Sequence, residues 1–512
     1  MAPELITPER LTAVLAALRS PAGALAFVPL YALWVTLLLP GVWASMLAGA
    51  LYGPLWGSVL VFLGACLGAE AAFLLGPTLR QAQGPGAIGA QPVGTEGLTL
   101  TAVINIPAAA AQAGRATWIA YAIALVAIAL VSETLVLFRH QPAGAAGIAG
   151  YVEQGLGGAM GRLACWALLL GYGATLLACL AFLGFYLEAL LSRLGLAGMP
   201  ELSFLMGAVA CWAMVRRDVG LSTHTMLVTE TISALIVLGL CALVLRHGGA
   251  AADLSAINPM GDSGTQVRAG LMIAVLSFIG FESAANLGAE AVEPERSVPQ
   301  ALRTAVLVAG GLFLVWSVVL TEGLGWLPAA ARQGLDPISA LADQLGRPGA
   351  GAWIRIGALL CLFGSSLGCL TALSRVTYRL AQERVFPAAL QALHPRWGTP
   401  AAALNASCWP LVALGLALLH QRLSASRIYD LLGDFGVLAF LLVYGLVAVA
   451  ALGRPLQGVG SLRRRGVAGA ALVAVVAVAA AFGSSLWNGQ AGVLLDFTAL
   501  LALGALLVLR RP

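Results

Sequence analysis

The chain contains no lysine: all 28 basic residues are arginine, so any mechanism that needs a titrating lysine is excluded. Charge of either sign is scarce, 10% of 512 residues, where a soluble domain carries about a quarter. No P-loop, paired-histidine motif or nucleophile elbow accompanies the apolar runs, and no large hydrophilic domain exists to hold one, which argues against an enzyme. The eight cysteines (Cys66, Cys165, Cys179, Cys211, Cys241, Cys361, Cys369, Cys408) form no C-x-x-C pair and have no histidine cluster beside them. Neither a disulfide framework nor a zinc site is indicated, and no cofactor or metal is expected. The net charge of +5 does not point to nucleic acid, because the arginines stand singly between apolar runs and form no basic face interleaved with aromatics. The N-terminus carries Glu4 and Glu9 ahead of its apolar stretch and lacks the basic start of a signal peptide, so it is read as retained.

What is present is apolar surface: 60% of residues are hydrophobic and mean hydropathy is +0.91. A hydrocarbon core about 30 Å thick takes about 20 apolar residues per helix, and runs of that length recur almost throughout. Two lie at 24–40 and 43–76. Twelve more follow residue 90, among them 98–112, 117–138, 160–191, 268–290, 351–382 and 428–453. Helices are the open structures that satisfy their own backbone inside lipid, and no alternating barrel pattern is visible, so the fold class is an all-α integral membrane protein. The stretch 79–97, rich in Gly, Pro and Gln, reads as a junction between a module at 1–78 and a larger one at 98–512. Sixteen arginines of the larger module fall on the side of the loop after 117–138, against nine on the other. That bias predicts twelve spans with both ends of the module cytoplasmic.

Residues 277–302, SFIGFESAANLGAEAVEPERSVPQAL, form the most informative stretch. Its apolar helix is punctured by Gly280 and Glu282 and ends in a polar run with Pro294 and Pro299. A carboxylate on a spanning segment costs a few kcal/mol, so Glu282 should face a cavity or a partner; the plainer reading is a glutamate that snorkels to an interface. The pattern resembles the sixth-helix signature of permeases of the amino acid–polyamine–organocation (APC) superfamily, F-x-G-F-E followed by E-x-x-x-P-x-R-x-[IV]-P. A second resemblance covers 374–404, where Ser374, Arg375, Pro387, His394, Thr399 and Pro400 match the family's eighth helix and following loop. A third covers 104–118 and 142–157, similar to the end of the first helix and the loop after the second.

The resemblance implies a LeuT-type bundle of inverted repeats in which helices one and six are broken near the membrane midplane, leaving amide N–H groups and carbonyls to bind a carboxylate and an ammonium. It further implies a secondary transporter that moves amino acids or related amines across the cell membrane by alternating access, with a small-molecule substrate and the bilayer as its partners. Ser277, Phe278, Ile279 and Gly280 would line the site, with Glu282 just beyond. Aligned through Pro107, the family's Gly-Ser/Thr-Gly triplet falls on Leu100, Thr101 and Ala102, and two lost glycines make unwinding there less easy. Thr101, Ala102 and Asn105 are the first-helix candidates; Thr101 and Asn105 read equally as a hydroxyl bonding its own backbone and a capping amide. The coupling ion, H+ or Na+, is left open. Where some relatives carry a fifth-helix lysine, this chain offers Glu230, a carboxyl that can take up a proton in an apolar run. Ser365 and Ser366 stand near the sodium-coordinating hydroxyls of other relatives, though small residues also serve close helix packing.

Residues 39–76 resemble the opening half of DedA/VTT-like (SNARE-associated) membrane proteins, with Pro40, Gly41, Gly49, Gly53, Trp56, Gly57, Gly64 and Gly68 in their pattern. No second half follows, and Pro77 stands where those proteins tend to show arginine. The module is read as a truncated helical or re-entrant piece ahead of the permease. Two alternatives therefore accompany the transporter: a lipid-handling protein driven by this module, and a transporter-derived sensor without flux.

Overall fold

The computed structural model divides the chain into two compact units, Met1–Ala87 and Ile88–Pro512. It describes Phe27 and residues 97–138, 147–192, 199–217, 219–248, 264–282, 285, 294–346, 349–453, 456 and 459–509. The DedA/VTT-like stretch and nearly all of the 79–97 junction lie outside the described residues, apart from Phe27 and Gly97.

Among the described residues there is no strand, and nine helical stretches are long and apolar enough to cross a membrane. The first, Thr101–Val136, turns back on itself at Gly114. Helix α1 (98–113) ends there because a φ of +56° is open to glycine and rarely to other residues. The Thr117 hydroxyl then donates to the Gly114 carbonyl at 2.6 Å and starts α2 (Thr117–Val136). The series continues with α3 (Gly147–Leu156), α4 (Gly158–Leu191), α5 (Pro200–Arg217), α6 (Val219–Gly248) and α7 (Gly264–Ser277). After the turn at 278–282 come α8 (Pro294–Gly325), two short helices α9 (Ala329–Arg332) and α10 (Pro337–Leu345), and α11 (Ala350–Gln382). The remainder is α12 (Ala401–His420), α13 (Ala425–Gly453), α14 (Ser461–Gly489) and α15 (Ala491–Leu509). Setting aside α3, α9 and α10, these follow the order of the twelve apolar runs.

Helices apolar on every face must lie inside the protein or in lipid. Here α4, α11 and α13 are the enclosed ones, with 78, 72 and 67% of their apolar 18-residue segments buried, whereas in α15 that share is 17%, which leaves most of its apolar surface for lipid. At the centre α4 packs against both α11 and α13, and α6 lies along α11. That last approach depends on Gly364, where a Cβ would come within 2.9 Å of Thr229 Oγ1.

The first helix corrects the expectation of a break. Residues 98–113 remain helical throughout, with a π turn at Thr101–Asn105 in which the Ile106 N–H reaches back to the Thr101 carbonyl. Leu100 and Ala102 replace the glycines that would have favoured unwinding, and the chain takes up its irregularity as one widened turn. The sixth span does break. Helix α7 stops at Ser277, residues 278–282 form a turn, and Gly280 sits at φ +122°.

The loop motif with His394, Thr399 and Pro400 has a structural role. The His394 N–H donates to the Thr399 carbonyl at 2.8 Å, and the Gly398 N–H to the His394 carbonyl at 2.9 Å. The Thr399 hydroxyl then donates to the Arg216 carbonyl at 3.0 Å, satisfying an acceptor at the end of α5. The letters of a nucleophile elbow, G-S-S-L-G, do occur at 364–368, but inside α11, whereas an elbow requires a strand-to-helix turn.

Candidate functional site

The π turn of α1 and the end of α7 meet through side chains. Asn105 donates from Nδ2 to Ser277 Oγ at 3.0 Å and accepts at Oδ1 from the Tyr429 hydroxyl of α13 at 2.8 Å. Ser277 gives its own proton to the Ile273 carbonyl at 3.1 Å, so the Tyr121 hydroxyl of α2, 3.0 Å away, is the donor in that pair. Four elements are tied at one point, and Asn105 is held on both sides of its amide.

A second set fastens the turn after α7. Glu282 is fully buried and forms no ion pair among the described residues. Its Oε2 accepts the Gly280 N–H and the Tyr444 hydroxyl, both at 2.9 Å, and its Oε1 accepts the Tyr172 hydroxyl at 3.1 Å. The carboxylate is stabilised by donors instead of by a cation, and it connects the turn to α4 and α13.

Between these two sets lies a narrow cavity of ≈ 30 Å³. That is room for water and not for an amino acid, so a substrate requires the walls to part. Thr101 and Asn105 line it from α1, and Ser277, Ile279 and Gly280 from the α7 end. Tyr172, Thr175 and Cys179 of α4, Ser365 and Cys369 of α11, and Tyr429 and Gly433 of α13 complete most of the wall. Among the described residues no arginine, histidine, aspartate or glutamate lines it.

Ala102, Phe278, Glu282 and Ser366, grouped with these from sequence, are buried but do not line the cavity. Phe278 packs edge-on against Phe313, with ring centroids 5.2 Å apart. Ser366 is fully buried with no partner for its hydroxyl. Glu230 is half-buried on α6 and lies off the cavity, yet it connects to α1 through one sulfur: the Cys361 thiol donates to Glu230 Oε1 at 3.5 Å, and the Leu100 N–H donates to Cys361 Sγ at 3.1 Å. Ser365 stands beside the start of α1, where a Cβ on Gly97 would come within 2.9 Å of its hydroxyl. The tyrosines and the two cavity cysteines were not singled out from sequence. The one signal of the tyrosines was a hydroxyl inside an apolar span, which must find a partner when buried.

The architecture is that of the solved structure of MhsT in complex with L-phenylalanine, which superimposes with a TM-score of 0.51 at 14% identity, covering 78% of this chain and 100% of that one. The chain is therefore a membrane bundle of the LeuT type. Residues 88–501 match the family profile described as amino acid permease, and the chain belongs to that family, within the APC superfamily. Similar curated proteins include human cationic amino acid transporter 4, 30% identical over 230 residues (44% of this chain, 34% of that protein). The low-affinity putrescine importer PlaP of Escherichia coli K12 is 25% identical over 296 residues (55% and 63%). The methylthioribose transporter of Bacillus subtilis is 26% identical over 330 residues (62% and 70%). The aligned region thus spans only about a third of the length of the human relative.

Proposed function

We propose that this protein is a secondary transporter that carries a small amine-bearing solute, an amino acid or a related amine, by alternating access. The observation that carries the reading is the neutral cavity between the π turn of α1 and the break at Gly280, at the centre of a bundle whose family is that of amino acid permeases. Thr101, Asn105, Ser277, Ile279 and Gly280 are the proposed substrate wall. Glu282 holds the turn that forms it, Phe278 fastens that turn to Phe313, and Ala102 is buried in the π turn of α1.

Coupling is assigned to Glu230 if the driving ion is a proton, acting on α1 through Cys361, and to Ser365 with Ser366 if it is sodium. The protein is assigned to the cell membrane, and the arginine bias supports both ends of the permease unit lying in the cytoplasm. The module at 1–78 is proposed to be dispensable for flux.

Purified protein reconstituted in liposomes with an imposed proton or sodium gradient tests the reading. Saturable uptake of a labelled amino acid or amine is expected, and Glu230→Gln should flatten its pH dependence. Absence of gradient-driven uptake for every such solute, in protein shown to be inserted, overturns it.

A further inference from the structure

Resting on the substrate site just described, we infer that the cavity is built for an amine that carries no carboxylate. The argument is an account of protons. A carboxylate only accepts hydrogen bonds, whereas an ammonium only donates them. A site for an amino acid must therefore present unbonded N–H groups or a cation on one side, and lone pairs on the other.

The backbone amides nearest the cavity are already engaged, and the hydroxyls of Thr101 and Ser365 and the thiols of Cys179 and Cys369 that remain are neutral groups able to donate or accept. No cationic side chain lines the cavity among the described residues. In α1 the Thr101 N–H goes to the Gly97 carbonyl at 3.0 Å, the Ile106 N–H to the Thr101 carbonyl, and the Leu100 N–H to Cys361 Sγ. At the sixth-span break the Phe278 and Ile279 amides return to the Val275 and Leu276 carbonyls at 3.1 and 3.2 Å, and the Gly280 amide is held by Glu282. One amide hydrogen of Asn105 goes to Ser277 Oγ at 3.0 Å.

The acceptors, by contrast, face inward. The hydroxyl protons of Thr175 and Tyr429 go to the Gly171 carbonyl and Asn105 Oδ1, which leaves lone pairs as what those oxygens can offer the cavity. The last carbonyls of α7 lie at the negative end of its helix dipole. A further observation points to a missing partner: Thr101 lines the cavity, is 1% exposed, and its hydroxyl has no hydrogen bond. A buried polar group without a partner is one that a ligand can satisfy.

An alkali-metal ion would also suit a wall of acceptors, so the test separates the two. Full-length purified protein is titrated, at constant ionic strength, with pairs that differ only by the carboxylate: 1,4-diaminobutane against ornithine, and phenethylamine against phenylalanine. Sodium alone forms a separate arm, thermal shift gives the affinity, and liposome uptake is measured in parallel. The expected result is half-saturation at least ten-fold lower for at least one amine than for its amino acid. Thr101→Val, which keeps shape and loses the hydroxyl, should weaken that amine five- to ten-fold with the ligand-free melting temperature unchanged.

Equal or tighter binding of the amino acids overturns the inference, as does stabilisation by sodium with none by an amine, or full amine affinity in Thr101→Val. Failure of the transport reading looks different. Amine binding without uptake removes transport and keeps this inference, whereas amino acid uptake without amine preference does the reverse.

Discussion

Removing the Tyr444 hydroxyl would take a 2.9 Å donor from Glu282 Oε2, at a side chain with no solvent exposure, and leave the turn to the Gly280 amide bond. Hydrogen bonds to a charged group contribute about 1.5–3 kcal/mol, so Tyr444→Phe should lower the melting temperature clearly. Tyr172→Phe should lower it less, since that bond is longer, 3.1 Å against 2.9 Å. Equal melting temperatures for parent and both variants would show that the carboxyl does not hold the turn. Gly280 carries the same turn from the backbone side. At φ +122° a Cβ is strained by about 1–3 kcal/mol, so Gly280→Ala should weaken ligand and fold together, and Gly280→Leu should abolish binding while the chain still inserts. Affinity unchanged in both variants would move the ligand elsewhere. Ser277, Ile279 and Gly280 were legible in the sequence because a long motif fixes them in register. Tyr172 and Tyr429 were not, since a single tyrosine in an apolar run has no spacing to give it away, and its partner is chosen only when helices pack.

Helix ends were read closely wherever an apolar run met a polar turn: 117–138 against Thr117–Val136, and 351–382 against Ala350–Gln382. The short helices α3, α9 and α10 escaped, being too short to span a bilayer and too mixed in polarity to stand out. The π turn also escaped, because one widened turn inside a continuous helix leaves no mark on the apolar pattern. That turn is open to change by substitution. The double change Leu100→Gly and Ala102→Gly lowers helix propensity by about 2 kcal/mol and should free amides toward the cavity. An amino acid should then gain affinity relative to its amine, by titration of both ligands; an unchanged ratio would mean that the closed ladder of α1 does not set the preference.

Across the whole bundle, arginine pairs hold both ends of α11. Near its start Arg355 pairs with Asp336 at 2.8 Å, and the Tyr186 hydroxyl donates to the same carboxylate at 3.4 Å, fixing the α9–α10 connection onto α4 and α11. Near its end Arg379 pairs with Glu153 at 2.6 Å and Glu383 at 2.8 Å. Partly exposed pairs of this kind contribute about 1 kcal/mol or less, so either end can be released by modest forces. Arg355→Gln should therefore loosen the Asp336 end selectively and raise entry of small reagents from that side, with the other side unaffected.

The native chain carries the means to follow this without a label being engineered into it. All seven described cysteines are unpaired and buried, and two of them, Cys179 and Cys369, face the cavity. A thiol reagent cannot occupy ≈ 30 Å³, so it reacts only during the moments when the walls stand apart. The slow alkylation of those two sulfurs is then a clock. Its rate, with reagent on one side of the membrane or the other, counts how often the protein opens in each direction, and a solute that quiets the clock is one that has occupied the space between the two cysteines.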